Sequence, residues 1–315
     1  MESEEVMDLV SIVLSTYNGE KYLREQLDSI LTGTYQNIRI EISDDCSGDN
    51  TLEIVKEYQD KYPEQIYVHQ NEKNLGYTMN FLSAIKRSEG EYIMLCDQDD
   101  IWNPDKVEKT LAKMKESEKN LKGKPVLVFT DAWLYDEKQK GNPMPLFHKS
   151  SHLNTKKVDI SHLLIENKCI GCTTMVNKEI KKYISKLPDS DKIRVHDWWL
   201  ALICSLFGGI FYLNEPTLKY RQHGGNMIGG TSFSAYFANR LHSLKEQRQS
   251  VIYCTRQAEA FLRLFGDVIE KKDEKILSAF TSLMDQNWFV RHYRLMRYGF
   301  WKSGISRNVG LFIIL

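Results

Sequence analysis

The sequence predicts an α/β fold: a mostly parallel central sheet flanked by helices, followed by a C-terminal helical extension. Three observations carry this. Short apolar runs alternate with helix-period segments through the first third of the chain, the order that builds parallel strands joined by crossover helices. The opening run, Leu9 to Leu14, is apolar without interruption, as a strand covered on both faces requires. From Ser234 onward strand signals disappear and helical periods take over.

The elements follow in order. After the first strand, Tyr22, Leu23, Leu27, Ile30 and Leu31 recur at helical spacing. Ile38 to Ile42 alternates as a strand, Leu52 to Tyr58 is helical, and Ile66 to His69 is a short strand. A helix over Thr78 to Arg87 stops at Gly90, a natural terminator. Glu91 to Cys96 returns as a strand, and Pro104 opens the next helix at its first turn. Val126–Phe129, Cys169–Val176 and Ile210–Leu213 read as strands, with a helix over His196–Phe207. Helices are expected over Phe237–Phe265 and Glu274–Arg297. The Gly229-Gly-Thr-Ser232 connector puts the boundary near Thr231, between an α/β domain (1–230) and a helical region (231–315). The α/β domain is expected to divide into halves of about 1–130 and 131–230.

Composition excludes several classes. The 315 residues carry 42 Lys plus Arg against 42 Asp plus Glu. A zero net charge gives no general field for nucleic acid, so no nucleic-acid partner is expected. The N-terminus, MESEEVMDLV, is acidic and lacks the apolar run of a secretory signal. No window reaches the roughly 18 apolar residues of a membrane span. The six cysteines are scattered, as in reduced cytosolic proteins. Cys169 and Cys172 form one C-x-x-C without a second ligand pair, and read as ordinary strand residues.

In an open α/β sheet, ligands bind beyond the carboxyl ends of the strands. Four polar groups follow strands here: Ser15-Thr-Tyr-Asn18, Ser43-Asp-Asp45, Asp97-Gln-Asp-Asp100 and Thr130-Asp131. A single such Asp is usually a turn former or helix cap. Several converging on one rim repel each other unless a cation lies between them. Asp97 and Asp99, two apart on extended backbone, point to one side and could share a metal.

The ordered motifs Val10-Ser-Ile-Val-Leu-Ser-Thr-Tyr-Asn18, Ser43-Asp-Asp-Cys-Ser-Gly-Asp49, Asn74-Leu-Gly76 and Asp97-Gln-Asp-Asp-Ile-Trp-Asn-Pro-Asp105 resemble the successive signatures of family 2 glycosyltransferases of the GT-A fold. The resemblance runs from about Leu9 to Asn226, roughly two-thirds of the chain. Gly171-Cys-Thr-Thr-Met175, His196-Asp-Trp-Trp-Leu200 and Tyr220-Arg-Gln-His-Gly-Gly-Asn226 are similar to bacterial rhamnosyltransferases within that family, although enzymes using other sugars share much of this.

The resemblance implies roles. Thr16, Tyr17 and Asp45 would hold the pyrimidine base, with Asn18 and Asn74 in the same donor-binding set. Asp97 would lie against the ribose, and Asp99 would coordinate a Mn or Mg ion on the diphosphate. Asp197 matches the general base that deprotonates the acceptor hydroxyl; His196 stands where a Glu is commoner. His223 and Asn226 match a late loop closing over the diphosphate, with His223 a second metal candidate. Arg221 would stabilise the leaving group's charge, and His196, Trp198 and Trp199 would border the acceptor. One base and one displacement invert the anomeric centre.

The implied donor is dTDP-β-L-rhamnose and the implied acceptor a glycan or lipid-linked glycan; a UDP-hexose donor, or a non-catalytic carbohydrate-binding scaffold, is the alternative. Nucleotidyl transfer fits less well, because the first loop lacks a Gly-rich basic phosphate cradle. No G-x-x-x-x-G-K-[ST] exists for a P-loop kinase, and no Q-x-x-R-W for a processive synthase. After Asp285 the chain has no acidic residue, while Arg291, Arg294, Arg297, Lys302 and Arg307 are interleaved with aromatics. That pattern suits a peripheral contact at the inner face of the cell membrane, or else a homodimer seam.

Overall fold

The computed structural model describes residues 7–137, 144–223 and 244–315. Eight strands form one sheet in the order β3-β2-β1-β4-β7-β6-β8-β5. Its first half is parallel: β3 (Ile66–Gln70), β2 (Ile38–Asp44), β1 (Val10–Thr16) and β4 (Tyr92–Cys96). The short β7 (Thr174–Asn177) runs antiparallel between β4 and β6 (Val126–Tyr135). β8 (Gly209–Arg221) lies parallel to β6, and β5 (Ile101–Trp102) pairs antiparallel with its end.

All seven residues of β1 are buried, because helices cover both sheet faces. Val10, Ile12 and Leu14 face α1 (Leu23–Leu31), α2 (Thr51–Lys61) and α4 (Lys106–Glu118). Val13 faces the opposite core with α3 (Tyr77–Arg87) and α7 (His196–Phe207). That core continues into α8 (Leu244–Phe265), where Trp199 and Phe261 sit ring to ring at 5.3 Å. Two single-turn helices, α5 (Phe147–Ser150) and α6 (Ile160–Leu163), precede α7. The chain finishes with α9 (Lys271–Thr281), α10 (Trp288–Tyr298) and α11 (Ile305–Ile314).

Several expectations are corrected. The strand read over Cys169–Val176 shrinks to β7: Cys169 lies in irregular backbone and Cys172 in the 3-10 turn Gly171–Thr173. Both are buried free thiols. Thr130-Asp131 does not end a strand; β6 passes through it at a register shift opposite Pro216, and β8 tolerates that proline there. The helix read over Glu274–Arg297 breaks in two, because Asn287 caps α10 by accepting the Val290 N–H at 3.1 Å. Phe237 and the Thr231 boundary lie outside the described residues.

Candidate functional site

Register decides which loops meet. Thr16 pairs with Asp44 and Leu14 with Cys96, so the segments after β1, β2 and β4 leave the sheet along one edge. Short polar side chains lock them together. Asn18, at φ 49, accepts the Gly48 N–H at 2.8 Å and donates its own N–H to Ser47 Oγ at 3.0 Å. Gln98 bridges to Tyr17 in both directions, accepting its N–H at 2.9 Å and donating to its carbonyl at 3.1 Å. The Asp45 carboxylate accepts the N–H groups of Leu75 (2.7 Å) and Gly76 (2.8 Å) and Nδ2 of Asn71 (2.9 Å). Asn74 donates Nδ2 to the Asp45 carbonyl at 3.0 Å, fixing the same loop. Tyr17 remains half exposed on this rim, with its ring unburied.

The acidic centre follows β4. Asp97 accepts from the Tyr77 hydroxyl at 3.2 Å. Burial, then the neighbouring Asp99 and Asp197 carboxylates, push its pKa up to about 7. Asp99 Oδ2 lies 2.8 Å from His223 Nε2, and the His223 ring sits 4.7 Å from that of Tyr22. The β5–β8 pairing produces this contact, since it lays Ile101 against Lys219 and so brings the Asp99 turn beside the end of β8. Beneath them Asp100 is fully buried and its carboxyl is pushed far up by burial. Ligand atoms of Asp97, Asp100 and Cys172 lie within 4.8 Å of one another.

The donor set fits a divalent cation. Asp99 offers a hard oxygen and His223, 2.8 Å from it, a nitrogen, a pair that suits Mn or Mg. Burial and neighbouring carboxylates push the Asp97 and Asp100 carboxyls up, and a cation beside them would relieve that repulsion. The Cys172 thiol is a soft donor and matches Mn or Mg poorly.

Asp197 stands at the start of α7, close enough to raise the Asp97 pKa. Its Oδ1 accepts from Asn167 Nδ2 at 3.0 Å and from the Trp198 N–H at 2.6 Å. Burial pushes its pKa up to about 7 despite these bonds and one from the Gly171 N–H. A carboxyl near neutrality and held by three donors has the properties of a general base.

The structure redraws part of the expected set. Thr16 is fully buried, with its hydroxyl donating to Asp44 Oδ2 at 2.9 Å, so that side chain holds strands together rather than a base. Arg221 is 1% exposed; its Nε donates to the Asp99 carbonyl at 2.8 Å and its guanidinium pairs with Glu25 and Glu137. It clamps the acidic turn. Trp198 and Trp199 are packed in the core and not open to an acceptor: α7 is buried from His196 to Cys204, and Trp198 Nε1 donates to the Leu163 carbonyl at 2.5 Å. His196 is also fully buried, stacked on Phe81 at 4.0 Å, and burial lowers its pKa to about 3. Asp131 leaves the rim, accepting from His148 and Tyr212 inside the fold. Asn226 lies outside the described residues.

The sequence reading missed Tyr77, Gln98 and Asn167. Tyr77 directly follows Asn74-Leu-Gly76, and Gln98 lies inside the acidic motif, so both had a local signal. Asn167 had none.

Comparisons with known proteins bear on the family and the fold. The model of the family "Glycosyl transferase family 2" matches residues 11–183, more than half of the chain. The dTDP-rhamnosyl transferase RfbG of Shigella flexneri is 31% identical over 71% of this chain and 76% of its own length. TuaG of Bacillus subtilis, a glycosyltransferase named for teichuronic acid biosynthesis, is 30% identical over 68% of this chain and 79% of its own. Among solved structures, S. aureus TarS in complex with UDP-GlcNAc superposes with a TM-score of 0.56 at 17% identity, covering 93% of this chain and 80% of TarS. That likeness is one of fold.

Proposed function

The chain belongs to glycosyl transferase family 2, and on that premise we propose that it is an inverting, metal-dependent transferase of L-rhamnose from dTDP-β-L-rhamnose to a glycan in bacterial cell-surface polysaccharide synthesis. The observation that carries the reaction class is the convergence of Asp97, the Asp99–His223 pair and a near-neutral Asp197 on one sheet edge. The sugar assignment is supported by the similarity to RfbG, and the polysaccharide context by that to TuaG.

In this reading Tyr17, Asn18, Asp45 and Asn74 shape the nucleoside end of the donor site and Asp97 meets the ribose. Asp99 and His223 would hold a Mn or Mg ion, which when bound supplies positive charge beside the diphosphate. Asp197 accepts the proton of the acceptor hydroxyl as its oxygen bonds to the anomeric carbon. The nucleoside diphosphate departs from the opposite face with the bonding electron pair, so configuration inverts. Asn167 and the N–H groups of Trp198 and Gly171 keep the Asp197 carboxylate aimed while it works. Work at the inner face of the cell membrane suits a lipid-linked acceptor.

The test is a panel of dTDP- and UDP-sugars, assayed with Mn or Mg for transfer and for slow donor hydrolysis. Turnover of dTDP-rhamnose that Asp99→Ala abolishes is expected. Turnover of UDP-hexoses alone would remove the sugar assignment. Undiminished metal-dependent activity in Asp99→Ala would remove the metal role.

A further inference from the structure

The last helices leave large apolar side chains in water. On α10, Phe289, Tyr293 and Met296 are 60–77% exposed and recur at i, i+4 and i+7, one face of the helix. On α11, Ile305, Val309 and Ile313 are 54–85% exposed at i, i+4 and i+8. The two faces adjoin through exposed rings, because Trp288 lies 5.1 Å from Phe289 and 6.2 Å from Phe312. A contiguous apolar patch of this kind marks an interaction surface.

Charge says what covers it. At 100° per residue, Arg297, Arg294 and Tyr298 succeed one another around α10 on the side away from α11. There α9 and α10 enclose a cleft of about 380 Å³ lined by Lys271, Lys275, Arg294 and Tyr298, with Glu274 as its one carboxylate. Beyond Asp285 the sequence adds no acidic residue and five basic ones, of which Arg307 pairs with Glu166 and Arg291 binds the Leu315 and Met284 carbonyls. A two-fold contact between copies would set this basic rim against itself. An anionic bilayer complements both parts at once: acyl chains for the apolar ridge, phosphates for the cleft.

We propose that the α10–α11 face docks on an anionic phospholipid bilayer, with the α9–α10 cleft receiving lipid phosphates. The face is tied to the acceptor side of the site. Glu166 accepts the Ser303 N–H at 2.7 Å and Arg307 Nη1 at 2.9 Å, and its neighbour Asn167 donates to Asp197. Docking itself rests on the patch and the cleft and not on the transferase reading.

The experiment is co-sedimentation of the full chain with phosphatidylglycerol-containing and with pure phosphatidylcholine vesicles. Binding to the anionic vesicles is expected to exceed that to the neutral ones by tenfold or more. A Phe289→Ser/Ile313→Ser double variant, altered only at exposed positions, should lose binding to both. Lys271→Glu/Lys275→Glu should lower affinity for anionic vesicles about tenfold while sparing the weak neutral binding. Equal sedimentation of wild type and the Ser variant, or none with anionic vesicles, overturns the proposal. So does a wild-type dimer in sedimentation velocity that the Ser variant converts to monomer. Donor hydrolysis in solution, unchanged in these variants, separates this result from failure of the transferase reading.

Discussion

Asp97 and Asp197 are each held near neutrality, with opposite consequences for stability and chemistry. Each folded-state pKa of about 7 lies above the carboxylate's ordinary 3.8. Between those values the folded chain keeps protons that the unfolded chain has released, so this part of the stability is present at low pH and is lost as pH rises through about 7. Asp97→Asn should therefore raise the metal-free unfolding free energy at pH 8, by on the order of 2 kcal/mol, and change little near pH 4. Paired thermal melts at the two pH values check this. The chemistry runs the other way, since only ionised Asp197 accepts a proton. The pH profile of kcat/KM should climb to a plateau just above pH 7. Asp197→Asn should lose that limb and about 10²–10⁴-fold in rate while retaining donor affinity. A variant that loses donor binding but keeps its rate would make Asp197 structural. Asp45, Asp97 and Asp99 were legible in the sequence because they follow apolar strands, and Asp197, at the start of α7, through the family resemblance. The pKa values of Asp97 and Asp197 were not, because they depend on burial and, for Asp97, on Tyr77 and Asp197, 20 and 100 positions away.

At the scale of elements, two backbone approaches decide the site. Gly90 enters β4 where a Cβ would come within 2.5 Å of the Ser11 nitrogen and 2.9 Å of the Leu9 carbonyl oxygen. Gly90→Ala must push β4 from β1, and should cost about 1–3 kcal/mol in denaturant titration. The sequence showed this glycine only as a helix terminator. The second approach is β5 against β8, a two-residue pairing that no periodicity announces. Arg221 secures it by donating its backbone N–H to Asp100 Oδ1 at 3.1 Å and its Nε to the Asp99 carbonyl. Arg221→Lys removes the planar fork, so metal affinity measured by titration should weaken about tenfold. A fall in kcat at saturating metal, with affinity unchanged, would restore the leaving-group role.

At the scale of the molecule, the C-terminal helices share a core with the sheet. Phe261 of α8 is fully buried against Trp199, two residues from Asp197. Phe261→Ala should cost about 3–5 kcal/mol in urea unfolding, within one transition that includes the sheet. The sequence by itself determined the parallel half of the sheet, the helices between its strands and the order of the acidic motifs. Those features are written in local apolar period and in polar residues placed at strand ends, which need no distant partner to be read. Tertiary structure alone decided which of the nominated side chains are enclosed. Thr16, Arg221, Trp198 and Trp199 carry the right chemistry in the right motifs, yet long-range packing encloses them. It also chose which tail aromatics remain exposed: Phe300 is buried against Phe280, whereas Phe289 and Tyr293 face water. The physical reason is one of range. Helical and strand periods are set within a few residues, whereas burial of a given side chain depends on elements far along the chain.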